Sequence, residues 1–180
     1  MSQIKLHAYP FQEQGTREEQ QDRIHYVKFR YIHRFVVIDG MGGTEAGGQA
    51  AQRLMKWLSQ EGDLKEVVSS AHTNFQHWLM ERFGELDKSQ LPGAVATILE
   101  LNVQTKQAQI FHLGDTRLYL RSALNGEDSI FELMTENQIS PEGKVLQDFG
   151  LETIDPYWKT FEFHGGEEIF VSTDGLYEVL

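Results

Sequence analysis

The sequence predicts an α+β fold in which two packed, mostly antiparallel β-sheets carry a pair of helices over one sheet. Three observations lead there. The run Phe35-Val36-Val37-Ile38 is uninterrupted by polar residues and reads as a strand buried on both faces, because water-facing strands alternate. Two apolar stripes at helical spacing then follow one another with no strand between them. From Ala94 onward the chain turns to short alternating runs separated by polar turns. Runs of strands with consecutive helices, rather than alternating strand–helix units, define this class.

Taken in order, residues 4–11 have a loose strand alternation that ends near Pro10, and the polar run Gln12–Gln21 is a loop. Asp22 opens a strand over Ile24–Phe29, and Tyr31–Arg34 turns the chain into the central strand. Thr44-Glu45 is a helix start, with Gly47 and Gly48 allowing close packing on the sheet. Ala50, Ala51, Leu54, Met55 and Leu58 recur at helical spacing, and Gly62 stops that helix. Asp63 caps a second helix whose stripe is Leu64, Val67, Val68, Ala71, Phe75, Trp78 and Leu79, closed by Gly84. Both helices cover the core, so Met55, Trp57 and Trp78 are read as packing residues. Ala94–Leu101, Gln107–Leu113, Arg117–Arg121 and Ser129–Met134 form an antiparallel meander. Thr135–Pro156 is irregular with a helical turn at Lys144–Phe149, and Trp158–Phe163 and Glu168–Ser172 are strands again.

Composition narrows the functional classes. The 180 residues, 40% hydrophobic and 24% charged, suit one domain over 1–180. A net charge of −11 argues against a general nucleic-acid or anionic-membrane binder, which needs a basic face. There is no cysteine, so disulfides and thiol catalysis are excluded. The start lacks the apolar core of a signal peptide and no apolar run is long enough to span a bilayer, so the expected setting is the cytoplasm. The histidines are scattered, with no His-Glu-x-x-His, and no Walker-type lysine follows Gly42-Gly43-Thr44.

The chemistry-bearing pattern is acidic. Asp39-Gly40 ends the buried strand, and Asp174-Gly175 ends the apolar strand Glu168–Thr173. Asp115 follows Ile110–Gly114, and Asp22 precedes Ile24–Phe29. Strands that deliver carboxylates to one rim build an all-oxygen site for a hard cation. Each acid also has an ordinary structural reading as a turn residue, and Asp115 can simply cap a turn, paired with Arg117.

Five motifs occur in a fixed order: Gly15–Asp22, Asp39-Gly40-Met41-Gly42-Gly43, Gly93-Ala94-Val95-Ala96, Leu113–Arg117 and Ser172–Leu176. Together they resemble the metal-dependent (type 2C) protein serine/threonine phosphatases in their bacterial form, over nearly the whole chain. The resemblance implies hydrolysis of phosphoserine or phosphothreonine in proteins by a water activated by two magnesium or manganese ions. Two such ions lower the pKa of the water and neutralise the charge of the phosphate. It further implies that Asp39 bridges both ions, that the Gly40 carbonyl adds a ligand, and that Asp174 holds the first ion. Asp115 with Asp174 would hold a weaker third ion. Gln21 stands where many relatives have a Glu ligand, Asp22 would orient the attacking water, and Arg17 would clamp the phosphate through its planar fork. Read alone, Arg17 is a solvated loop charge.

The chain also departs from the family pattern. Gln20 replaces the usual Asn, and Ser140–Gln147 leaves only a stub of the substrate-selecting flap. It stops at Leu180, before the Asp-Asn pair that supplies another first-ion ligand and before the final strands. A C-terminally incomplete domain with impaired activity is therefore expected, with weak binding of the first ion, completion by a partner or second copy at the unpaired edge, or a fragment as the open alternatives. The competing function is a catalytically weak or silent phosphatase-like module that binds a phosphoprotein or regulatory partner.

Overall fold

The computed structural model describes residues 4–13, 20–41, 45–87, 90–122 and 131–177. Strands β1 (Arg23–Phe29) and β2 (Ile32–Met41) form a hairpin in which Phe29 pairs with Ile32, so the connection is Arg30-Tyr31. The turn is therefore shorter than the expected Tyr31–Arg34, with Arg30 at φ 49 and Ile32–Arg34 already in β2. Val36, Val37 and Ile38 are buried, as the unbroken apolar run requires. Helices α1 (Glu45–Leu58) and α2 (Leu64–Phe83) follow. Asp63 accepts hydrogen bonds from the Lys65 and Glu66 amides and so caps α2, whose buried residues are the seven of its apolar stripe.

Strands β3 (Gly93–Asn102) and β4 (Gln107–Leu113) extend the first sheet, and β5 (Arg117–Arg121) and β6 (Glu132–Leu133) begin the second. Strand β7 (Tyr157–Glu162) returns to the first sheet, and β8 (Glu168–Ser172) leads into a short helix α3 (Asp174–Tyr177). The sheet orders are β1-β2-β3-β4-β7 and β6-β5-β8, every pairing antiparallel. One core lies between the first sheet and the helices, with Val36, Ile38, Leu54, Phe75, Ala96 and Phe111 among its members. The other, around Leu99, Ile110, Leu118 and Phe163, lies where the two sheets face each other.

Three expectations fail for physical reasons. The chain does not meander from β4 into β5. At Gly114-Asp115-Thr116 it crosses to the other sheet, and β7 takes the place beside β4. Residues 4–11 form no strand: Ile4 and Leu6 pack against the inter-sheet core without a ladder partner among the described residues. No helical turn forms over 144–149, because its amides bond outside the segment: Leu146 donates to the Gln138 carbonyl and Phe149 to that of Ala94. Ser140 Oγ accepts from the Glu142 and Lys144 amides, and Asp148 Oδ1 accepts from Gly150. The Lys144–Phe149 segment instead bridges Val145 to Ile139 and buries Phe149 against α2.

Candidate metal centre

Strand alternation decides where Asp39 points. Val36 and Ile38 face the helices, so Phe35, Val37 and Asp39 face the second sheet. Asp39 is only 6% exposed and pairs across the ladder with Val95. Next to it, Gly40 is the tightest point of the rim. A Cβ there would lie 2.1 Å from the Gly47 carbonyl oxygen of α1 and 3.1 Å from the Gln21 carbonyl oxygen. Only glycine lets the end of β2, the first turn of α1 and the buried residue Gln21 meet at one place.

That meeting brings Asp22 to Asp39. Arg23 holds the approach by donating from Nη1 to the carbonyls of Gln20 and Asp22 at 2.6 and 2.7 Å, and from Nε to Gln52 of α1 at 3.0 Å. Gln12 Nε2 donates to the Asp22 carbonyl at 2.7 Å. From the far end of the chain, Thr173 Oγ1 donates to Asp22 Oδ2 at 3.1 Å, so the Thr173-Asp174 segment lies on the same rim. Asp115 arrives through the sheet crossover. Gly114, at φ +105, packs so closely that a Cβ would sit 2.1 Å from Cγ1 of Val95, the cross-strand partner of Asp39.

The electrostatic consequence is large. The Asp39 carboxyl is pushed up to about 9, first by burial, then by the charges of Asp22 and Asp174, a side-chain hydrogen bond with Asp174, and the charge of Asp115. Asp22, Asp115 and Asp174, from three other stretches, thus all act on Asp39. Among the described residues, however, no three His, Asp or Glu side chains are already closed around a common point at ion-binding distance. Asp39 and Asp174 share a hydrogen bond, as neighbouring carboxyls do when a proton relieves their repulsion.

Of the residues singled out from sequence, Asp22, Asp39, Gly40, Asp115, Asp174 and Gln21 fall on this rim or its immediate backbone. Arg17 lies outside the described residues. Five further residues contribute. Thr173 is the neutral donor to Asp22, Arg23 anchors the loop, and the buried trio Thr97, His112 and Thr116 underlies the crossover. Arg23 acts on its own sequence neighbours, whereas Thr173 and the trio act on residues that the fold brings near.

Two antiparallel sheets with a helix pair on one and acids gathered at the rim is the architecture of the bacterial type 2C serine/threonine phosphatases. The structure superposes on a serine/threonine phosphatase of S. agalactiae with a TM-score of 0.74 at 19% identity, covering 91% of this chain and 77% of that one. It matches the Mycobacterium tuberculosis serine/threonine phosphatase PstP with a TM-score of 0.72 at 20% identity, over 92% and 76% of the two chains. It is also similar to the catalytic domain of a serine/threonine protein phosphatase PstP in complex with two manganese ions, with a TM-score of 0.71 at 19% identity. In sequence, the chain is 26% identical to the protein phosphatase PhpP of Streptococcus pneumoniae, across 89% of this chain and 74% of that protein. No family model matches the chain. In sequence it is similar to a bacterial protein phosphatase, and in fold to bacterial serine/threonine phosphatases.

Proposed function

We propose that the chain is a metal-dependent phosphomonoesterase acting on phosphoserine or phosphothreonine in proteins, with magnesium or manganese as cofactor. The observation that supports it most is the convergence of Asp22, Asp115 and Asp174 on the buried Asp39. A donor set made only of carboxylate and carbonyl oxygens suits these hard ions, and a cation would relieve the repulsion that now holds a proton on Asp39. When bound, a pair of such ions supplies an activated water and neutralises charge on the phosphoryl group.

The chain's own residues then divide the work. Asp39, Asp174 and the Gly40 carbonyl would hold the ions, with Gln21 as a further oxygen ligand. Asp22, held by the Thr173 hydroxyl, would orient the attacking water, and Asp115 would add a carboxylate for a weaker third ion. Arg17 binds the phosphate oxygens through its fork. The rival reading, a silent phosphatase-like module that binds a phosphoprotein, draws on the open spacing of the acids. Strand β8 ends its sheet among the described residues, so a second copy or partner strand could add there.

Manganese-dependent hydrolysis of an aryl phosphate separates the two. The reading predicts weak turnover that disappears in Asp39→Asn, and equal blank rates for both proteins would give the case to the silent module. Arg17→Ala should raise KM more than it lowers kcat, and an unchanged KM would return Arg17 to the role of a surface charge.

A further inference from the structure

Beneath the turn that carries Asp115 lie three polar side chains with no part in the proposed chemistry. Thr97 and His112 are cross-strand partners on β3 and β4, and both are fully buried, as is Thr116. Thr97 Oγ1 lies 2.8 Å from His112 Nδ1 and 2.5 Å from Thr116 Oγ1, while His112 Nε2 lies 3.0 Å from the Gly114 carbonyl oxygen.

Hydrogen-bonding capacity gives these contacts a direction. A carbonyl can only accept, so Nε2 carries the hydrogen, and in a neutral imidazole Nδ1 is then the acceptor. Thr97 must therefore donate to Nδ1, and Thr116 to Thr97. The chain of donors starts on the residue after Asp115 and ends on the residue before it. Burial lowers the pKa of His112 to about 4, against the opposing pull of the Glu136 and Gly114 carbonyls, so the ring is neutral as this direction needs. Gln138 grips the same turn from outside, accepting from the Gly114 amide at 2.7 Å and donating its own amide to the Gly114 carbonyl at 3.0 Å.

We propose that Thr97 and His112 are positioning residues that fix the Asp115 carboxylate relative to Asp39, and so set the affinity of the cation site to which Asp115 contributes. The inference rests on reading the rim as a metal centre. Outer hydrogen-bond partners of this kind orient the ligands of metal sites, and their loss typically weakens binding by about 10- to 100-fold.

The test is calorimetric titration of manganese into the metal-free full chain, with thermal melts in chelator as the control for folding. Thr97→Val should weaken, by about tenfold, the same binding step that Asp115→Asn weakens. Thr97→Ser, which keeps the hydroxyl, should restore it. Because Thr97 acts through Asp115, the double variant should bind no more weakly than Asp115→Asn alone. Thr116→Val removes the first donor of the chain and serves where Thr97→Val fails to fold. Wild-type binding in these valine variants, or losses that multiply in the double variant, would overturn the positioning role while leaving Asp115 a ligand. Unchanged binding in Asp115→Asn would instead remove Asp115 from the centre, and the positioning role with it.

Discussion

Strand β2 buries a charge near each end, and the two ends treat it in opposite ways. At one end Arg34 is fully buried and every N–H is used. Nε and Nη2 donate to Glu100 Oε2 at 2.8 and 2.7 Å. Nη1 donates to the carbonyls of Leu58 and Gln60 at 3.2 and 2.5 Å, and Nη2 to that of Gly62 at 2.9 Å. The guanidinium thus closes the end of α1 and pins the helix connection to the sheet. At the other end Asp39 is also buried but surrounded by acids, with the Thr173 hydroxyl as a neutral donor to one of them. The first end is complete as the chain stands. The second becomes favourable only when positive charge enters, which separates a structural charge from one held for a ligand.

Breaking the completed end should have the largest effect. Arg34→Ala leaves Glu100 mostly buried without its partner and strips three carbonyls of their donor. A stability loss of about 3–5 kcal/mol is expected in urea unfolding. Arg34→Lys should recover little, since an ammonium cannot reproduce the five-donor fork.

The incomplete end should respond in the opposite direction. The Asp39 carboxyl titrates near 3.8 when exposed and about 9 when folded. Between those values the folded chain holds more protons than the unfolded one. The stability that this group contributes is therefore complete below about pH 4 and is lost as pH rises toward 9. In chelator, Asp39→Asn should be more stable than wild type by about 1–3 kcal/mol at pH 8.5, and the gap should shrink at pH 5. Manganese should stabilise wild type more at pH 8.5 than at pH 5, because protons compete for the same oxygens. A gap that does not change with pH would mean that Asp39 ionises without penalty.

The smallest effect sharpens the contrast. Thr173→Val removes the hydroxyl donor to Asp22 and should cost about 1 kcal/mol in chelator. Saturating manganese should reduce that cost if a cation takes over the compensation, and a cost that is the same with and without metal would argue otherwise.

The sequence was most informative where one element decides the outcome alone. Asp63 capping α2, the seven-residue stripe behind it, and the doubly buried run before Asp39 all follow from local spacing. Local pattern failed where the contest was between partners distant in sequence. Nothing in Gln107–Arg121 says that β5 will leave β4 for β8, since both strands alternate well enough to pair with each other. The same holds for the rim. The acids were legible as residues that end or begin strands, but Thr97 and His112 become meaningful only through the register that sets them side by side. Arg34 illustrates it most sharply, for an arginine in a strand says nothing by itself about the three carbonyls and one carboxylate awaiting it.

Anomalous scattering from crystals grown in saturating manganese would locate the cation directly. The strongest peak should lie within bonding distance of both Asp39 and Asp174. Peaks confined to surface carboxylates, with none beside Asp39, would leave the crowded acids without the ligand their arrangement calls for.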